Sequence, residues 1–118
     1  MKLLTKPQRD RLLANDRKQT PVRGTDDEID FEPVVKLFCP WGAGTWLLTE
    51  IDNEAPDIAF GLCDLGFQCP ELGSVSLSEL ESIRGPAGLR IERDLHFRAD
   101  KTLMAYTREA LAHGQIKA

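Results

Sequence analysis

At 118 residues, with 42% hydrophobic and 29% charged side chains, the chain has the size and balance of one globular domain, one that buries roughly two-thirds of its unfolded surface. No apolar run approaches the roughly 20 residues of a membrane-spanning helix. "MKLLTKPQRDRLL" lacks the apolar core and small-residue cleavage site of a signal peptide, so a cytoplasmic location is expected.

The net charge of −4 is unevenly distributed. Residues 1–24 carry seven Lys/Arg against two Asp/Glu, residues 25–81 one against thirteen, and residues 82–118 seven against four. Such an acidic middle can steer association with a basic partner, or can be neutralised by the basic ends folding over it. No basic stripe with interleaved aromatics is present, so direct binding to duplex nucleic acid is not expected.

Taken in order, "TKPQRDRLLAND" opens a helix. Thr5 can cap it, Pro7 sits where its missing N–H costs nothing, and Gln8 completes a capping box. Residues 16–32 show no periodicity and hold Pro21 and Gly24, which predicts a flexible connector. "PVVKLFCP" and "TWLLTEID" are strand-forming runs joined by "WGAG", followed by "DIAFGLCDLG" and "PELGSVSL". Their short links favour an antiparallel meander over parallel units.

Ser76 to Glu79 forms a second capping box, and the helix it opens should stop at Gly85-Pro86. "LRIERDLHF" reads as a returning strand. Asp100 is positioned to cap a last helix, whose apolar side holds Leu103, Tyr106 (or Met104) and Leu111 and whose C-cap is Gly114. The expectation is a single α+β domain over 1–118, with a four- to five-stranded antiparallel meander and about three helices on one of its faces. Leu37, Leu47, Ile58, Phe60, Leu62, Val75, Leu95 and Phe97 are the expected core, joined by Trp46.

Several groups could carry chemistry. As a strand, "IERDLHFRAD" puts Glu92, Asp94, His96 and Arg98 in one row, where a carboxylate could orient a histidine and an arginine could hold an anion. The same row also suits the wet face of an ordinary sheet, with His96 half-buried against a carboxylate. Asp64, Glu50 and Asp52 are carboxylates near strand ends that could converge on a divalent ion, although their spacing does not specify this. Trp41 at a hairpin tip, together with Glu50, Asp52, Asp57 and Arg98, are candidate binding residues. Cys39, Cys63 and Cys69 form no CxxC pair, so no metal, no other cofactor and no disulfide framework is expected. "WGAGTW" and "RGPAGL" match no nucleotide fingerprint.

The stretches "KLLTKPQRDRLLAN", "PVVKLFCPWGAGTWLLTEID", "DIAFGLCDLGFQCPELGSVSLSELESIRG" and "LRIERDLHFRADKTLMAY" resemble a family of short bacterial proteins of unknown function. The matching positions include Lys36, Leu37, Trp46, Glu50, Gly61, Asp64, Gly66, Glu71, Gly73, Glu92, Asp94, His96 and Phe97, and no cysteine is among them. The resemblance implies a gene on a plasmid, integrative conjugative element or similar mobile DNA, near antirestriction and replication genes, and it implies no catalytic residues. The expected function is a non-enzymatic accessory role, in which an acidic surface binds a host or element protein and blocks a DNA-recognising defence enzyme. A small hydrolase or nuclease built on His96, Asp94, Glu92 and Asp64 is the alternative.

Overall fold

The computed structural model describes residues 3–118. Helix α1 (Lys6–Gln19) starts as its sequence directs: the Thr5 hydroxyl accepts the Gln8 N–H at 3.2 Å, and the Gln8 side chain accepts the Thr5 N–H at 3.0 Å. Its inward side is narrow. Leu12 is fully buried, with the polar Asn15 and Gln19 buried further along. Thr5→Ala should cost about 1 kcal/mol, read from urea unfolding, because both halves of the capping box go together.

Four strands follow as a meander: β1 (Val35–Phe38), β2 (Thr45–Ile51), β3 (Ile58–Asp64) and β4 (Glu71–Ser76). After α2 (Leu77–Ser82) a two-residue strand, β5 (Glu92–Arg93), returns to pair with β1. All pairings are antiparallel and the sheet order is β4-β3-β2-β1-β5. Helix α3 (Leu103–His113) completes the fold.

Residues directly opposite in a ladder share a face. Leu47 opposite Leu62 therefore marks one face; Leu48 opposite Gly61 and Ile51 opposite Ala59 mark the other. On the Leu48 face, Leu12 of α1 and Leu77 and Leu80 of α2 pack with Val35, Leu37, Trp46, Leu48, Ile51 and Ala59. On the Leu47 face, Leu103, Tyr106 and Ala110 of α3 cover Leu47 and Leu62. Helices thus lie on both faces, not on one as the sequence suggested. The adjacent leucines 47 and 48, both fully buried, reflect a strand without a wet side.

The expected core is only partly recovered. Leu37, Leu47 and Leu62 are fully buried, and Ile58, Phe60, Val75 and Phe97 are half-buried. Leu95 is 67% exposed, because the strand expected over 89–97 ends at Arg93 and turns.

The 16–32 connector is also shorter and better held than expected. Its first residues finish α1, and Thr20–Val22 form a 3-10 turn. The Gln19 side chain then pairs with the Ile29 backbone, donating to its carbonyl at 2.7 Å and accepting its N–H at 2.8 Å. Further on, the Leu103 N–H donates to the Phe31 carbonyl at 2.8 Å, and the Met104 N–H donates to Asp30 at 3.1 Å. The segment is a strap from α1 on one face to the start of α3 on the other. The strap and Thr102 share the capping work expected of Asp100: Thr102 is the N-cap of α3, its hydroxyl accepting the Ala105 N–H, and Asp100 instead accepts the Tyr106 hydroxyl at 2.9 Å. Ser76 caps α2 as expected, and Gly114, at φ 72°, ends α3.

Candidate functional site

The ladder between β2 and β3 slips one residue between Leu48 and Glu50, leaving Thr49 as a bulge. Bulges re-aim the side chains beyond them. Glu50 comes to lie opposite Phe60, on the α3 face but beyond the part that α3 covers, with its side chain 6% exposed. The strap brings Arg23 to it: one guanidinium nitrogen lies 3.3 Å from Glu50 and 3.0 Å from Asp16 of α1. Asp16 in turn accepts both the backbone and side-chain N–H groups of Asn53, at 3.1 and 2.9 Å. Burial pushes the Glu50 carboxyl above the usual carboxylate range, and Arg23 opposes that push.

Two cavities open on either side of this pair. One, of about 580 Å³, is bounded by the end of α1, the 52–54 turn, Ile58 and Phe60 of β3 and Ser74 of β4. The other, of about 380 Å³, lies among Glu28, Ile29 and Asp30 of the strap, Leu72 of β4 and Leu103 and Met104 of α3. Arg23, Glu50 and Phe60 line both, so together they form one groove with an apolar floor and carboxylates along its rim.

Of the residues singled out from sequence, Glu50 and Asp52 meet at this groove. Asp52 is exposed and closes the turn by accepting the Glu54 N–H at 2.8 Å. Asp57 serves the start of α2, accepting the Ser78 N–H and the hydroxyls of Ser76 and Ser78; these bonds lower its pKa. Asp64 is buried beside the opposite end of the hairpin, opposite Thr45, where it accepts the N–H groups of Gly66 and Ile116. Four residues of β2 lie between Thr45 and Glu50, a separation of roughly 15 Å, so Asp64 and Glu50 do not converge on an ion. Among the described residues no three His, Cys, Asp or Glu side chains group as a metal site.

The row from Glu92 to Arg98 is not assembled either. Glu92 is exposed on β5 opposite Phe38. Asp94 accepts the backbone N–H of His96 at 2.9 Å and lies 3.4 Å from Lys36; the His96 bond, more than Lys36, holds its pKa low. His96 and Arg98 are exposed. The half-buried, carboxylate-bound His96 expected from alternation is corrected to an imidazole in a turn, since only its backbone is tied to Asp94. His96→Ala and Leu95→Ala should each change stability by less than about 0.5 kcal/mol, as exposed residues do; a chemical denaturation curve would check this.

Trp41 is half-buried and folds back, its ring packed so closely over Gly85 that a Cβ there would lie 2.4 Å from it. Cys39, Cys63 and Cys69 are free. Burial pushes the Cys63 thiol up to about 11, so it is protonated and a poor nucleophile at neutral pH. The residues missed from sequence are Asp16, Arg23 and Asn53. The available signal was Arg23 itself, the last basic residue before the acidic run, in a segment read as loose.

None of the described helices is long and apolar enough to cross a membrane. A search of curated proteins finds no match to the chain, and a search of solved structures finds none. One family model covers nearly the whole length, residues 3–117, and by that match the chain belongs to the family described as "Protein of unknown function (DUF2958)".

Proposed function

We propose that this protein acts by binding: it is an accessory protein of mobile DNA whose acidic face engages the basic, DNA-contacting surface of a host or element-encoded protein, blocking a DNA-recognising defence enzyme. The observation that carries this reading is uncompensated charge. Asp26, Asp27, Glu28, Asp30 and Glu32 are all exposed within seven residues, and Asp52 and Glu54 are exposed on the neighbouring turn. Among the described residues, ion pairs reach only Glu50 of the thirteen acidic residues in 25–81. Charge of this kind speeds encounter with a cationic surface and disfavours anionic ones.

The test is protection of target DNA. A panel of host restriction enzymes digests its substrate with and without the purified protein, over a range of salt. At least one enzyme should be blocked, and the block should weaken as the screening length falls to about 8 Å near 0.15 M salt. Asp26→Asn/Asp27→Asn/Glu32→Gln, which leaves the groove residues in place, should protect poorly. Digestion unaffected by the wild-type protein, or equal protection by the neutralised variant, would defeat the reading.

A further inference from the structure

On that reading the partner still needs a seat, and the groove beside the Arg23–Glu50 pair has the shape and charge of one. Its floor is Ile58, Phe60 and Leu72, and six carboxylates line its two halves (Asp16, Glu28, Asp30, Glu50, Asp52 and Glu54) against two guanidinium groups, Arg17 and Arg23. An apolar floor beneath an anionic rim matches a lysine or arginine, whose methylene stem packs while its head stays at the charged edge.

The groove also opens along β4, which among the described residues pairs only with β3. β4 ends the sheet with six residues, whereas the other end is the two-residue β5, where an Arg93 guanidinium nitrogen donates to the Leu3 carbonyl at 3.1 Å. An unpaired edge offers backbone donors and acceptors to an incoming extended chain. Leu72 and Ser74, two apart on β4 and on the α3 face, line the two halves of the groove separately. A strand laid beside β4 presents its own alternate side chains at the same spacing, about 7 Å. We infer that the groove takes an extended basic segment of the partner protein, added to β4 as a further strand, with lysines or arginines at alternate positions reaching over Leu72 and Ser74. This inference rests on the binding reading above.

The probe is a fluorescent peptide alternating lysine and threonine, titrated into the full chain and read by anisotropy. Three comparisons decide. A peptide of the same composition with its lysines in one block should bind more weakly. N-methylation of the probe's backbone at alternate residues should weaken binding about tenfold or more in one phase and spare it in the other, because only one edge of an added strand faces β4. Glu28→Gln/Asp30→Asn should weaken binding about tenfold; both replacements keep an oxygen to accept the Gly24 and Met104 N–H groups that these residues hold. No binding of the alternating probe, equal binding of both N-methylated phases, equal binding of the block peptide, or full binding to the double variant would each overturn the inference. The two proposals fail separately: DNA protection without probe binding removes the groove and keeps the acidic-face reading, and probe binding without protection does the reverse.

Discussion

Gly61→Ala should cost about 3–5 kcal/mol, measured as the loss of unfolding free energy in urea with Trp46 as the reporter. A Cβ at this position would lie 1.9 Å from the Leu47 carbonyl oxygen and 2.8 Å from both the Leu47 carbonyl carbon and the Leu48 Cα. Ordinary overpacking is relieved when side chains shift, and it costs about 1–3 kcal/mol. The obstructing atoms here are backbone of the central strand. They cannot retreat without disturbing the other ladder of β2, where Lys36 faces Leu47 and Val35 faces Leu48. Gly61 is also opposite the last residue before the bulge, so the close approach belongs to the slip that delivers Glu50 to its site.

Gly73, directly across from Gly61 on β4, is the internal control, since a Cβ there meets nothing among the described residues within 4 Å. Gly73→Ala should be neutral within about 0.5 kcal/mol or slightly stabilising, because alanine restricts the unfolded chain. A loss below about 1 kcal/mol for Gly61→Ala, or equal losses at the two glycines, would mean that the approach of β2 to β3 is not a constraint.

What could be read from sequence, and what could not, divides by the range of the interactions. Thr5 with Gln8, Ser76 and Gly114 act within one helical turn and cap as expected, the box at Ser76 being represented by its hydroxyl, which accepts the Glu79 N–H at 3.2 Å. The antiparallel order of β1 to β4 also follows from short links between strand-forming runs. The misreadings depend on distant partners. Alternation through Asp94, His96 and Arg98 suggested a strand, yet a strand needs a neighbour, and pairing with β1 runs only from Glu92 opposite Phe38 to a last bond from the Asp94 N–H to the Lys36 carbonyl at 2.9 Å. Asp94 then closes a turn through the His96 N–H, a local bond that competes with pairing. Glu50 was legible as a carboxylate near a strand end but not as a buried one. Its burial comes from Phe60 across the bulge and from a strap anchored at Gln19 and Ile29.

The strap makes Arg23 the residue whose loss should expose that arrangement most clearly. Arg23→Met removes the cation from between two carboxylates whose side chains are 13% and 6% exposed. Stranding a buried charge costs about 3–5 kcal/mol. Arg23 is itself 48% exposed and partly screened by water, which lowers the expected loss to about 2–3 kcal/mol at pH 7. Asp16 keeps its two Asn53 donors, so most of the loss should trace to Glu50.

The pH dependence follows from the direction of the Glu50 shift. Its folded-state pKa is raised above the ordinary 4.5, chiefly by burial, so between those two values the folded protein holds the proton more tightly than the unfolded chain. Its contribution to stability is therefore fully present below about 4.5 and is lost as pH rises through the folded value. Asp57 and Asp94, both shifted down, run the opposite way and lose their contributions as pH falls. Without Arg23 the Glu50 pKa climbs further, so the deficit of Arg23→Met should be largest near neutrality and shrink toward acid as Glu50 takes up its proton. Glu50→Gln should flatten this part of the profile, and adding it to Arg23→Met should restore most of the lost stability. Urea titrations of the four proteins between pH 4 and 8 form the cycle. An Arg23→Met deficit that grows toward acid, or one that Glu50→Gln does not relieve, would show that Arg23 is not compensating the charge of Glu50.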